Sequence, residues 1–263
     1  MKIRPFYKIL FTTVCILLMS PSLFAQKKKN QFYNLKIYSY SSLENEQQID
    51  AYLKDAYLPA LKRLAISPVG VFKPKDQTKD TLMHTYVLVP MTSLDEAYTL
   101  DEKLSHDPTY KSDGKAYLEA SYDHAPYKRL ESILLMAFDE MPIIKAPPLT
   151  GPRKDRVYEL RSYESPTEAL HKNKVNMFNK GGEVKLFKDL GFNAVFYSRV
   201  ISGSHMPNLM YMTTFDNKES RDAHWDAFGK SPVWKKLSSL PEYQNNVSHI
   251  DITFLYPTSY SDY

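Results

Sequence analysis

The sequence predicts an α+β protein built from two tandem copies of one module, each running β-α-β-β-α-β. Three observations carry this expectation. The chain repeats itself at an offset of about 124 residues: Tyr33-Asn34-Leu35-Lys36-Ile37-Tyr38-Ser39-Tyr40 returns as Arg156-Val157-Tyr158-Glu159-Leu160-Arg161-Ser162-Tyr163, and Asp107-Pro108-Thr109-Tyr110 as Ser231-Pro232-Val233-Trp234. A repeat of that length is too long for a solenoid unit and suits a small domain. Strand-like and helix-like periods follow one another in the same order in both copies. Residues 141–155, with four prolines and a glycine, read as a linker between them.

The elements come after a leader. Residues 1–25 carry Lys2, Arg4 and Lys8, then an apolar run from Ile9 to Met19, then Ser22-Leu23-Phe24-Ala25. This is the pattern of a secretory signal peptide, with cleavage expected after Ala25, and the apolar run is too short to span a bilayer comfortably. The mature protein is therefore expected in the periplasm or outside the cell, with no stable membrane anchor. An intact mass of the exported protein beginning at Gln26 is the expected result; retention of residues 1–25 would refute it. The only cysteine, Cys15, lies in the leader, so the mature chain is expected to hold no disulfide, thiol nucleophile or thiolate metal site. Removal of three basic residues lowers the formal charge from +4 to +1. With no basic stripe and no recognition motif, no nucleic-acid partner is expected.

The first module, residues 31–140, opens on an alternating strand at 32–40. A helix at about 44–65 follows, with Ile49, Tyr52, Leu53, Ala56, Tyr57, Ala60, Leu61 and Leu64 on one stripe. Ser67-Pro68 ends it. Strands at 69–72 and 84–90, helices at about 93–105 and 108–121, and a strand at 130–138 complete the copy. In the second module, residues 156–263, strands are expected at 156–163, 192–201, 208–215 and 247–255, and helices at about 166–190, 217–229 and 231–239. Each module then forms a ferredoxin-like, four-stranded antiparallel sheet with helices on one face. Two such sheets packed face to face would cover one another, and the space between them is the expected pocket for a small molecule.

The second copy departs from local rules at several places, and these are the candidate site residues. Gly181-Gly182 interrupts a helix, at about 1 kcal/mol per glycine, so the helix is expected to stop and restart at Glu183. That glutamate either points to the pocket mouth or serves as an ordinary first-turn acid favoured by the helix dipole. His224 and Trp225 stand where the first copy has residues near Leu100 and Asp101. Two roles are open to His224: acid/base chemistry, or a hydrogen-bonded edge to an aromatic core stripe. The run Ser204 to Met212 brings three methionines into a strand, with Asn208, Met210 and Met212 on one face and Leu209 and Tyr211 on the other. The expected site is thus His224 and Glu183 as catalytic groups, with Arg199, Met206, Asn208, Tyr211 and Trp225 as ligand contacts. Glu159 and Arg161 read as an ordinary same-face ion pair. No histidine pair has metal-ligand spacing, and no phosphate loop or serine elbow is present, so no metal or cofactor is expected.

Val157-Tyr158-Glu159-Leu160-Arg161-Ser162-Tyr163 resembles the opening strand of the NIPSNAP family. So do Arg221, His224-Trp225-Asp226-Ala227-Phe228, Ser231-Pro232-Val233-Trp234 and the ending Phe254-Leu255-Tyr256-Pro257-Thr258-Ser259-Tyr260-Ser261. The resemblance covers about 156–261 and implies a fold of the dimeric α+β barrel type, here as a pseudo-dimer within one chain that is open to homo-oligomerisation. It implies little about reaction, since related barrels include cofactor-free monooxygenases, haem-binding enzymes and small-molecule binders. The expectation is a pocket-bearing exported protein; the alternative is a barrel enzyme of monooxygenase, lyase or isomerase type using His224 and Glu183. Haem would require His171, His205 or His224 facing an apolar cavity.

Overall fold

A computed structural model describes residues 29–76 and 82–263. The leader read in residues 1–25 lies outside them. Among the described residues eight strands close into one antiparallel barrel: β1 (Phe32–Tyr40), β2 (Gly70–Pro74), β3 (Met83–Met91), β4 (Arg129–Ala137), β5 (Val157–Glu164), β6 (Asn193–Ser202), β7 (Asn208–Phe215) and β8 (His249–Pro257), in the order β1-β3-β2-β8-β5-β7-β6-β4. Each half of the chain supplies four contiguous strands. The two sheets do not stack face to face as the sequence suggested. They join edge to edge, through β2–β8 (Phe72↔Pro257 to Pro74↔Leu255) and β4–β6 (Leu135↔Val200 to Ala137↔Ser198). The physical reason is the edge itself. Stacked open sheets would leave four strands with unpaired backbone groups, and closure pairs all of them.

The helices lie outside the barrel. The first half contributes α1 (Leu43–Ala51), α2 (Leu58–Arg63), α3 (Asp95–Ser105), α4 (Pro108–Asp113) and α5 (Lys115–Leu118); a π-helical segment, Tyr52–Tyr57, joins α1 to α2. The second half contributes α6 (Glu168–Phe178), α7 (Glu183–Asp189), α8 (Lys218–Lys230) and α9 (Pro232–Ser238). The stop and restart expected at Gly181-Gly182 is present. Gly182 holds φ at 89°, a left-handed conformation, and a Cβ on Gly181 would meet the Met177 carbonyl at 2.6 Å. Among the described residues no helix is long and apolar enough to cross a membrane.

Strand alternation divides the core into three apolar layers. One fills the barrel, and one lies under each set of helices. Inside, the end of the barrel nearest the start of β1 and β5 is sealed by rings: Tyr33 against Phe196 at 5.5 Å, Phe72 against Tyr158 at 5.0 Å, and Tyr263 against Phe72 at 5.5 Å. Ile144 of the connecting segment joins this seal. The opposite end, where β1 and β5 finish, is polar and open.

Candidate functional site

The open end is built from in-register layers. Across β7, β5 and β8 the inward-facing triplets are Met212, Leu160 and Thr253; then Met210, Ser162 and Asp251; then Asn208, Glu164 and His249 at the lip. From the other half, Ile37 on β1 lies between Tyr86 on β3 and Glu131 on β4. Together they line a cavity of about 270 Å³, with an apolar floor of Ile37, Ile133, Leu160 and Met210 and a polar wall that includes Glu131, Ser162, Asn208 and Asp251. Ser204 donates a hydrogen bond to Glu131 across the seam.

Asn208 is the most informative group here. It is only 2 % exposed and donates from Nδ2 to Ser162 Oγ at 2.9 Å, while its Oδ1 has no hydrogen-bond partner. A buried carbonyl without a donor costs about 1–3 kcal/mol, and this one belongs to a residue that lines the cavity. Beside it, His205 has φ of 64° and places Nδ1 2.8 Å from Glu164 Oε1. His249 Nε2 lies 3.0 Å from Asp251 Oδ1.

The structure separates the residues singled out in the sequence. Asn208 is at the open end, and Met206 is half exposed on the loop beside it. Tyr211 faces the opposite side of the same strand, buried under the helices with its hydroxyl 2.9 Å from that of Tyr163. Glu183 is buried in the same helix layer and paired with Lys174 at 3.0 Å. Burial pushes the Glu183 carboxyl upward, and the Lys174 ammonium draws it partly back. His224 sits half buried at the outer edge of that layer, its Nδ1 2.6 Å from the Ser220 carbonyl and its ring against Phe192 and Phe215. Arg199 is exposed on β6, with a guanidinium N–H on Met136 Sδ. Glu183, His224 and Arg199 therefore occupy three places rather than one cavity, and the structure gives them no common chemistry. Of the histidines that a haem would need, His224 packs against Phe192 and Phe215, His205 borders the open end beside Glu131 and Asp251, and burial with the nearby Arg199 charge lowers the pKa of His171.

Trp225 has a structural task that sequence alone did not disclose. Its Nε1 donates to Glu159 at 2.8 Å, and the Arg161 guanidinium lies 3.7 Å from its ring centroid. Glu159, fully buried, also accepts from Arg161 at 2.7 Å and from Arg221 twice, at 2.8 and 2.7 Å. The pair that read as ordinary is the centre of a closed network. In the first half, Asp101 borders a cavity of about 400 Å³ walled by Tyr38, Tyr52, Tyr110 and Tyr117. What the sequence missed at the open end was register: Ser162, Asp251 and Glu131 belong beside Asn208 only once the strand pairing is known.

Residues 158–262 match the NIPSNAP family model. This stretch resembles a NIPSNAP domain. It contributes Ser162, Asn208, Met210 and Asp251 to the open end, while the preceding half contributes Ile37, Tyr86, Glu131 and Ile133. No curated protein matches the sequence. Among solved structures the chain is similar to a candidate monooxygenase from Fusobacterium nucleatum, with TM-score 0.59 and 8% identity over 88% of this chain and 93% of that one. It is also similar to a candidate monooxygenase from Lactobacillus acidophilus (TM-score 0.57, 12% identity, 87% and 94% covered) and to an anthrone oxidase-like protein (TM-score 0.51, 10% identity, 88% and 93% covered). At such identities the likeness is one of fold. It gives the NIPSNAP-like stretch and its partner half an α+β barrel architecture and leaves their chemistry to their own side chains.

Proposed function

We propose that this protein is an exported small-molecule binder whose working site is the open end of the barrel. The two halves act as tandem copies of one module, and each supplies one wall of the pocket. The observation that carries the proposal is the buried, unpartnered Oδ1 of Asn208, a residue that lines a cavity with an apolar floor. Such an acceptor is retained at a cost to stability, which a ligand N–H or O–H would offset. Glu131 and Asp251 add negative charge and further acceptors. The ligand that fits is compact, rich in hydrogen-bond donors or cationic, with an apolar part to lie on Ile37, Leu160 and Met210. The candidate monooxygenases share the architecture; their reaction is not transferred here.

The test is a thermal-shift screen with small amines, amino alcohols and sugars, on the wild type and on Asn208→Leu. The substitution removes the unpartnered oxygen together with one hydrogen bond of about 1 kcal/mol, so its own melting temperature should change little. The expected result is a ligand that raises the wild-type melting temperature and binds at least about tenfold more weakly to Asn208→Leu, the size of one lost hydrogen bond to a buried group. Ligands that bind both proteins equally would place the site elsewhere, and a panel without any binder would overturn the proposal.

A further inference from the structure

We propose that the lip of the open end is a binding site for a divalent first-row transition cation, held by Glu164, His249 and Asp251 with Asn208 Oδ1 as an additional oxygen. Strand register brings these groups together. Glu164 on β5 is directly opposite Asn208 on β7 and His249 on β8, and Asp251 follows two residues along on the same face. One ligand atom from each of Glu164, His249 and Asp251 lies within 4.8 Å of the others. Zinc-type bonds of about 2.0–2.2 Å need donor atoms somewhat closer than that. His249 and Asp251 are exposed and Glu164 only partly buried, so their side chains can close the difference by rotation.

The present partners of these groups support the assignment. Each carboxylate is matched by an imidazole: Glu164 with His205 at 2.8 Å, and Asp251 with His249 at 3.0 Å. A cation would replace these contacts, with His249 binding through a ring nitrogen and His205 swinging aside or joining as a further nitrogen donor. The independent observation is Asn208. The residue is nine-tenths buried or more and lines the same cavity as Asp251, and its amide oxygen has no partner. Amide oxygens ligate cations directly or through a bound water. The donor set, imidazole with carboxylate and amide oxygen and no thiolate, suits zinc, manganese, iron or cobalt better than calcium or magnesium. The inference goes beyond the small-molecule proposal and needs no organic ligand, although both use Asp251 and Asn208.

The experiment uses the mature chain, stripped with a chelator and titrated with ZnCl₂ by calorimetry and with MnCl₂ by the loss of the free-ion paramagnetic signal. The expected result is one ion per chain. Glu164→Gln, His249→Ala and Asp251→Asn should each weaken binding at least tenfold, with melting temperatures close to wild type because the side chains are at the rim. His106→Ala, at the end of α3, should bind as the wild type does. No saturable site, or equal binding by the three lip variants and the wild type, would overturn the inference. So would loss of binding in His106→Ala alone, which would mark adventitious surface histidines. An organic ligand sensitive to Asn208→Leu alongside no metal binding would remove only the cation site; metal binding with no organic ligand would remove only the small-molecule proposal.

Discussion

Glu159→Ala is expected to lower stability by about 3–5 kcal/mol, the usual consequence of removing one partner from a buried ionic network. With each kcal/mol worth about 2–4 °C in a chain of this size, the melting temperature should fall by on the order of 10 °C. The carboxylate accepts four hydrogen bonds, from Arg161, twice from Arg221, and from Trp225. Its loss leaves the largely buried Arg161 facing the Arg221 guanidinium without the carboxylate between them, although Arg221 keeps Asp222 at 3.0 Å, and leaves an indole N–H without an acceptor. Arg221→Lys should be milder, since it keeps a cation but cannot reproduce the two-pronged contact. The pH dependence has a definite sign. Burial pushes the Glu159 carboxyl upward, but the Arg221 hydrogen bonds and the Arg161 charge outweigh it and hold the group below the ordinary glutamate range. A depressed folded value contributes stability that is complete above the unfolded pKa of about 4.3 and is lost as pH falls through the folded value. The gap between wild type and Glu159→Ala should therefore be full at neutral pH and narrow in acid below about pH 4. Denaturant melts at pH 7 and pH 3 would check this; a gap unchanged between them would mean that the carboxylate's charge contributes little.

Phe187→Ala should be of similar size, about 3–5 kcal/mol. Phe187 is fully buried and touches rings on every side of the second helix layer. Phe228 is stacked at 4.8 Å and Phe192 lies at 4.8 Å, with Trp225 at 5.7 Å and Tyr197 and Tyr211 both at 5.9 Å. These rings come from α8, the turn before β6, β6 and β7, so no single element can move to fill the space. Phe187→Leu should recover much of the loss because volume is largely kept. A loss under about 1 kcal/mol for the alanine variant would show that the layer collapses freely. Ligand and metal binding at the open end should survive both changes, since this layer is on the other face of the sheet.

How much of this was legible beforehand depended on which residues speak locally. The alternating periods of 32–40 and 156–163 and the apolar stripe of 44–65 marked strands and a helix because each is a pattern within one element. Gly181-Gly182 announced a broken helix for the same reason, and the break is there. The face assignment in 208–212 was also correct, with Asn208 inward and Tyr211 outward. The error was to place both in one pocket, although their own alternation sets them on opposite sides of the sheet. His224 and Trp225 stood out as costly residues, yet their cost is met by local partners: a helix carbonyl for one and Glu159 for the other. Composition cannot tell a satisfied polar group from one awaiting a ligand. The groups at the open end come from six strands and a loop, so only barrel register could assemble them.

The closed barrel has a consequence for how this protein could diversify. Its two seams, β2–β8 and β4–β6, join strands of different halves of one polypeptide. In an assembly of two identical chains every substitution at the rim would appear twice, related by symmetry, and a carboxylate at the lip would always face its own copy. Here the rim is free of that duplication. Arg129 opens β4 opposite Ser39 and Asp251 stands near the start of β8 opposite Ser162, yet they carry opposite charges. One side of the entrance can thus be tuned while the other is held constant, and a lopsided electrostatic field can draw in and orient an asymmetric guest, which a two-fold symmetric rim could not do.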